Sequence, residues 1–167
     1  GNAGLCRQDS IEVDELQYPI YVEKRYVTMD TEGAGKFRGS PSAYCEFGPI
    51  DDCNMKVLYT SDGSINPAKG ARGGQSGGVS KTFKREINGT LTELPNCYGL
   101  ALGPGEMVVS YSAGGGGYGN PKYRAIEKVL ADYKEGWVSK KRAQEVYGVV
   151  IDKNDQVDPI GTKKIRH

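Results

Sequence analysis

Met107-Val-Val-Ser-Tyr-Ser-Ala-Gly-Gly-Gly-Gly-Tyr-Gly-Asn-Pro121 decides how this chain is read. A β-prone run ends in four consecutive glycines, then Tyr118-Gly119. Asn120 suits a helix N-cap and Pro121 a first helical position. Strand, glycine turn and helix make the layout that cradles phosphate, and Gly114, Gly116 and Gly119 satisfy G-x-G-x-x-G. A dinucleotide site also needs a βαβ unit, a parallel sheet and an acidic residue ending the next strand. Here the helix leads into another helix and the preceding segments read as hairpins. Pro121 also lacks an amide such a site would use. The glycines therefore read as a sharp turn packed where a Cβ would clash. The alternative is a turn at an interface, or one lining a pocket completed by other parts of a larger protein.

Working upstream, Ile20 to Asp30 alternates as a long strand, and Thr31–Gly35 is a glycine turn. Lys36–Phe47 reads as a second strand interrupted at Gly39-Ser40-Pro41, where proline implies an edge or a bulge. Asn54–Thr60 is a third. Val79–Ile87 and Thr90–Leu94 flank Asn88-Gly89, a two-residue hairpin signal that outweighs its reading as a glycosylation sequon. Leu102-Gly-Pro-Gly105 turns the chain into the strand Glu106–Ser112. Downstream, Tyr123, Ile126, Leu130 and Tyr133 recur at helical spacing, so 121–135 is an amphipathic helix ended by Gly136. Ser139 caps a second helix, 140–147, with Ala143, Val146 and Tyr147 on one face and Gly148 closing it. The expected architecture is mainly β (α+β): an antiparallel β sandwich or barrel with a C-terminal pair of helices. Residues 1–120 form the β domain and 121–150 the helical pair packed on it. Residues 151–167 form a polar tail ordered by contact with something else.

Composition supports this. The 167 residues fit one domain with a real core. Glycine, at 24 residues, is about twice its usual share. The 11 tyrosines suit half-buried strand faces. With 22 basic and 21 acidic side chains the net charge is +1, which implies no nucleic-acid or anionic-lipid partner. No apolar run approaches the ~20 residues of a membrane span, and no signal-peptide core is present. Cys6, Cys45, Cys53 and Cys97 form no C-x-x-C pair, and His167 is the one histidine, so no metal site is expected. Buried free thiols in a reducing, cytoplasmic setting are the preferred reading, with a Cys45–Cys53 pair as the alternative. Gly1-Asn2-Ala3 has the small, uninformative residues of a cloning remnant.

Chemistry is sparse. There is no Ser-His or Cys-His couple and no P-loop lysine, and Asp62 and Glu46 carry no spacing that marks an acid–base pair. Ser61–Gly78 is a long loop bearing Asp62, Asn66, Lys69 and Arg72 among glycines that let amides approach an anion. The residues expected to face a ligand or an interface are those four with Gly114, Gly115, Gly116, Gly117 and Tyr118. The bland reading of the loop is a mobile surface segment.

Several ordered motifs resemble the C-terminal end of the hydantoinase B/5-oxoprolinase family. Gly-Gly-Gly-Gly-Tyr-Gly-Asn-Pro (114–121) is similar to its G-G-G-G-Y-G-D-P turn, with Asn120 in place of Asp. Glu135-Gly-Trp-Val-Ser139 to Tyr147-Gly-Val-Val150 is similar to its closing helix. Tyr18-Pro19, Val22-Glu-Lys-Arg-Tyr26 and Gly33-Ala-Gly-Lys-Phe-Arg-Gly39 match its upstream segment in order, over about residues 10–151. Family members are several times longer. The resemblance implies a C-terminal domain of a hydantoinase B-like subunit, inactive alone, within an ATP-dependent ring-opening amidohydrolase of the hydantoin/5-oxoproline type. The alternative is a piece of an ATP-dependent ketone carboxylase (acetone/acetophenone carboxylase type), or a non-catalytic subunit-assembly module. ATP and a divalent metal are implied for the complete enzyme, with none bound by this piece. Implied partners are the rest of the subunit, an ATP-binding hydantoinase A-like subunit and a small cyclic amide or ketone. Ser40-Pro-Ser-Ala-Tyr44 and residues 62–74 depart from the family pattern, so substrate stays undecided. A stand-alone ligand-binding β domain would need exposed aromatics in a groove.

Overall fold

A computed structural model describes residues 10–166. Cys6, His167 and Gly1–Ala3 lie outside the described residues. The chain opens with a short helix not expected from the sequence, α1 (Ile11–Gln17), whose cap Ser10 accepts from the Val13 amide. Seven strands follow: β1 (Ile20–Val27), β2 (Ala43–Pro49), β3 (Met55–Thr60), β4 (Lys81–Arg85), β5 (Leu91–Glu93), β6 (Cys97–Leu102) and β7 (Met107–Tyr111). Then come a 3-10 turn (Pro121–Tyr123) and the helices α2 (Ile126–Lys134), α3 (Lys140–Glu145) and α4 (Pro159–Arg166).

Every pairing between named strands is antiparallel. One sheet runs β1-β2-β7-β4-β5, and β3-β6 make a second. Leu100 and Leu102 of β6 pack on Val108 of β7, joined by Phe47, Met55, Val57 and Leu94. Two β layers thus share one apolar seam, as the sandwich reading requires. The barrel alternative is not supported, because β1 and β5 remain unpaired edges.

Local expectations fared unevenly. The turn into β7 forms with Gly105 at φ +76 and the Glu106 amide donating to the Gly103 carbonyl. The β4–β5 hairpin exists, but its loop has three residues rather than two. Gly89 donates to the Glu86 carbonyl at 2.8 Å, the Glu86 amide to the Thr90 carbonyl at 2.9 Å, and only Gly89 has positive φ. That is a type I turn with a glycine bulge, a pattern Asn-Gly serves as well as the tighter one. Strand β6 was missed. The second strand begins only at Ala43, since Lys36–Ser42 are committed elsewhere. The bulge lies in β1 near Val22 and Lys24, not at Pro41.

Glu106, at the β6–β7 turn, accepts from the Gly103 amide at 2.8 Å and from Lys84 at 2.6 Å. That amide, then Lys84, pulls its pKa down from 4.5 to about 2. A lowered carboxylate pKa stabilises the fold fully above the unfolded value, and the stabilisation is lost as pH falls through the folded one. Glu106→Gln should therefore lower Tm at neutral pH, with the difference shrinking between pH 4.5 and about 2. Thermal melts across that range check this, and a constant difference contradicts it.

The helical pair forms, with corrections. The first helix breaks at Arg124-Ala125, and Tyr123 is 72% exposed rather than on the packed face. Val129 and Asp132 are the buried positions of α2. Gly136 (φ +74) ends the segment, Ser139 accepts from the Arg142 amide, and Gly148 (φ +67) closes α3, all as expected. Ala143, Tyr147, Val129, Val138, Val149 and Ala34 form one buried cluster.

The polar tail is ordered by its own chain. Ile151 bridges Val157, Asp158 caps α4 through the Ile160 and Gly161 amides, and buried Thr162 accepts from the Val150 amide. Arg166 donates to the Tyr147 and Arg124 carbonyls. The thiol expectation fails at Cys53 and Cys97, which are exposed, and Cys45 is unpaired and half-buried. Burial raises the Cys45 thiol pKa.

Candidate functional site

The four glycines do not form a turn. Among residues 114–119 only Gly119 has positive φ (+75). Gly114–Gly117 run through the middle of a backbone layer between segments 31–40 and 68–78. Their amides bond to both flanks: Gly114 to the Gly78 carbonyl (2.9 Å), Gly115 to Ser40 (2.8 Å), Gly117 to Gln75 (2.9 Å). The Tyr118 amide goes to Phe37 (2.8 Å) and that of Gly119 to Ala71 (2.9 Å). Carbonyls are returned to Gly33, Phe37, Ala71 and Lys36.

Side chains are excluded because the backbones touch. A Cβ on Gly115 would stand 2.7 Å from the Ser40 amide nitrogen, and one on Gly35 2.6 Å from that of Tyr118. Cβ atoms on Gly114, Gly116 and Gly117 would meet the carbonyls of Thr31, Lys69 and Ala34. The packing reading of the glycines therefore stands. A phosphate cradle needs free amides, and five of the six here are spent inside the layer.

The expected site residues fall into two groups. Asp62 and Asn66 line an open groove of about 560 Å³ beside Thr60, Asn96 and Cys97, at one end of the β3–β6 pair. Both are exposed. Arg72 and Tyr118 lie together elsewhere, the guanidinium 5.8 Å from the ring centroid. Arg72 holds φ +49, a left-handed conformation that arginine adopts only at a cost. Phe37 joins them, its ring 6.4 Å from that of Tyr118, with Lys36 5.7 Å over Phe37. Phe37 is 58% exposed and Tyr118 44%. Lys69 contributes its carbonyl to the glycine layer and an exposed side chain. The layer thus holds outward a cationic and aromatic patch of Lys36, Phe37, Arg72 and Tyr118. Phe37 and Lys36 were not among the expected residues, though they lie within the quoted motif.

Two buried ionic clusters fasten this layer to the helices, and neither was foreseen. Glu32, 1% exposed, accepts from Arg142 Nε (2.7 Å) and from the Tyr147 hydroxyl (2.8 Å). Arg142 also donates to the Glu32 carbonyl at 3.0 Å. Burial, then Glu32, drives the Tyr147 pKa upward. Asp132 meets Arg38 Nε at 3.0 Å and Arg124 Nη2 at 2.8 Å, while the Arg38 guanidinium lies 4.8 Å above the Trp137 ring. A third buried carboxylate, Glu46, accepts from the Tyr44 hydroxyl (2.8 Å) and pairs with Arg85 Nε (2.6 Å). Glu46 is thereby tied into the sheet through both of its carboxylate oxygens. Among the described residues no group of His, Cys, Asp or Glu could hold a metal ion.

An open-edged two-layer β body, a self-bonded glycine layer and a closing helical pair define a structural class with known relatives. The family model for hydantoinase B/oxoprolinase proteins matches residues 2–121. The chain belongs to the hydantoinase B/oxoprolinase family. It is 34% identical over 163 residues to the beta subunit of the caprolactamase of Pseudomonas jessenii, covering 95% of this chain and 28% of that one. The crystal structure of ATP-dependent caprolactamase from the same organism superposes with TM-score 0.73 and 29% identity, over 94% of this chain and 28% of its own. The B-type subunit of a putative D-/L-hydantoinase from Pseudomonas sp. (strain NS671) is 33% identical over 166 residues, 96% and 27% of the two chains. The acetone carboxylase alpha subunit of Xanthobacter autotrophicus is 25% identical, over 93% of this chain and 25% of the relative. The chain thus spans about a quarter of the length of these relatives. No helix among the described residues is long and apolar enough to cross a membrane.

Proposed function

We propose that this chain is the C-terminal part of a hydantoinase B-type subunit of an ATP-dependent ring-opening amidohydrolase acting on a small cyclic amide. On this reading ATP and a divalent metal act in other parts of the complete enzyme, and the piece has no turnover alone. The supporting observation is that five of the six amides from Gly114 to Gly119 bond within the glycine layer, which argues against a nucleotide cradle there. The layer serves instead as a rigid frame for the patch of Lys36, Phe37, Arg72 and Tyr118. That patch meets the rest of the subunit or the ATP-binding partner, because interfaces favour exposed aromatics and arginine. The ring-opening reading is preferred to ketone carboxylation on the higher identity to caprolactamase and hydantoinase subunits, 34% and 33% against 25%.

The test is turnover by parts. Purified chain supplied with Mg-ATP and caprolactam, hydantoin or 5-oxoproline should release neither ADP nor ring-opened product. Mixing it with the missing subunit portion and the ATP-binding subunit should restore both. Turnover by the chain alone overturns the proposal.

A further inference from the structure

We propose that the outer edge of β3 pairs with the same edge of a second copy of this chain, antiparallel about a two-fold axis at Leu58. β3 and β6 form a two-stranded sheet, so each strand carries an edge that no other strand covers. The Ser61 amide donates to the Asn96 carbonyl at 2.6 Å, one step beyond the Thr60–Cys97 pair. Bonded and open pairs alternate along an antiparallel ladder, so Tyr59, Val57 and Met55 are the residues bonded to β6. The amides and carbonyls of Lys56, Leu58 and Thr60 therefore point away from β6. Among the described residues they meet no other backbone group. All three side chains are exposed, Leu58 to 88%. The opposite face of the ribbon, with Met55, Val57, Leu100 and Leu102, packs into the apolar seam.

This edge is unguarded where its counterparts are not. Native sheets blunt free edges with bulges, charges, short strands or a covering segment, because a bare edge recruits another chain. On β1, Glu15 of α1 accepts from the Val22 amide at 2.8 Å, and the bulge and Glu23-Lys24-Arg25 follow. β5 is three residues long. β3 runs for six residues in unbroken register with β6, and Lys56 is its one charge. Leu58 also lines two open hollows. One, of about 500 Å³, is shared with Lys56, Gly99 and Ala101, and the other, of about 450 Å³, with Thr60, Cys97 and Gly99. The β6 edge presents only Cys97, Gly99 and Ala101, which are too small to anchor a partner.

Self-complementarity commits the β3 edge to its own copy. A two-fold axis at Leu58 sets Leu58 against Leu58, and Lys56 against the second copy's Thr60. Every outward N–H and C=O of the three residues then finds a partner. The two lysines stay apart, as they must, since like charges directly opposite each other are destabilising. The leucines meet beside Gly99, where the hollows leave room. The product is one continuous sheet of order β6-β3-β3-β6, closer to the usual strand number than an isolated pair. Neither ATP nor substrate enters, so the pairing goes beyond the ring-opening reading and can fail without it.

Sedimentation equilibrium of the full chain between about 10 µM and 1 mM should show the mass rising from one chain toward two, a small interface being weak. Amide exchange followed by NMR over the same range should slow at Lys56, Leu58 and Thr60. Val57 and Tyr59, already bonded to β6, should not change, nor should Cys97, Gly99 and Ala101. Leu58→Lys and Leu58→Glu each bring like charges together at the axis, so each alone should associate at least about tenfold more weakly. Their equimolar mixture should recover the dimer, because opposite charges then meet. Both variants should melt with the parent at low concentration, Leu58 being so exposed. A chain that stays monomeric to about 1 mM overturns the proposal and leaves the edge to a strand from elsewhere in the complete enzyme. Slowed exchange at Cys97, Gly99 and Ala101 instead, parent-like association of either variant alone, or a mixture that stays monomeric also overturns it.

Discussion

Gly117→Ala is expected to leave the chain unable to reach its native fold. The added Cβ would meet the Ala34 carbonyl and stand 2.5 Å from the Gly33 carbonyl oxygen. Both obstacles are backbone in a layer bonded on two sides, so no flexible side chain can yield. Overpacking of an ordinary core costs about 1–3 kcal/mol, and this site lacks the soft surroundings that keep the figure low. We expect a loss on the order of 4 kcal/mol or more, comparable with the whole stability of many domains. Gly89→Ala is the control. Nothing lies within 4 Å of its Cβ position, and its φ of +84 costs only about 1–2 kcal/mol. Chemical denaturation of the two variants separates them. Comparable midpoints would mean that the layer is looser than its bonds indicate.

Arg142→Met carries the second large effect. Arg142 reaches from α3 to Glu32, a carboxylate with no other cation among the described residues and one oxygen, Oε2, already without a partner. Removing one partner of a buried pair strands the other, at about 3–5 kcal/mol. The double variant Glu32→Gln/Arg142→Met should recover much of that loss, since the stranded charge is gone. Urea midpoints of the two singles and the double give the coupling. A double variant as unstable as the sum of the singles would show that the pair does not join α3 to the glycine layer energetically.

The features legible in the sequence were those decided within a few residues. Gly136, Ser139 and Gly148 bracket α3 because caps and left-handed glycines act locally. Pro104-Gly105 turned the chain as it reads. What failed depended on distant neighbours. Gly114–Gly117 read as a turn, yet they run through a bonded backbone layer, and their need for glycine comes from segments 31–40 and 68–78. Lys36–Ser42 read as the start of the second strand, but the same layer claims it. Tyr123 matched the helical period, but the chain breaks at Arg124, whose side chain turns in to Asp132. No local signal marks Glu32 or Asp132 as buried, since their cationic partners arrive through the tertiary fold. Of the expected site residues, Arg72 and Tyr118 meet because one glycine layer carries both, whereas Asp62 and Asn66 sit beside β3 and β6.

The central claim is that the Gly114–Gly119 amides are structural and hold no phosphate. Amide NMR of the labelled chain during titration with Mg-ATP measures this directly. Unmoved resonances are expected at Gly114, Gly115, Gly117, Tyr118 and Gly119 up to millimolar nucleotide. Saturable shifts confined to those amides would contradict it.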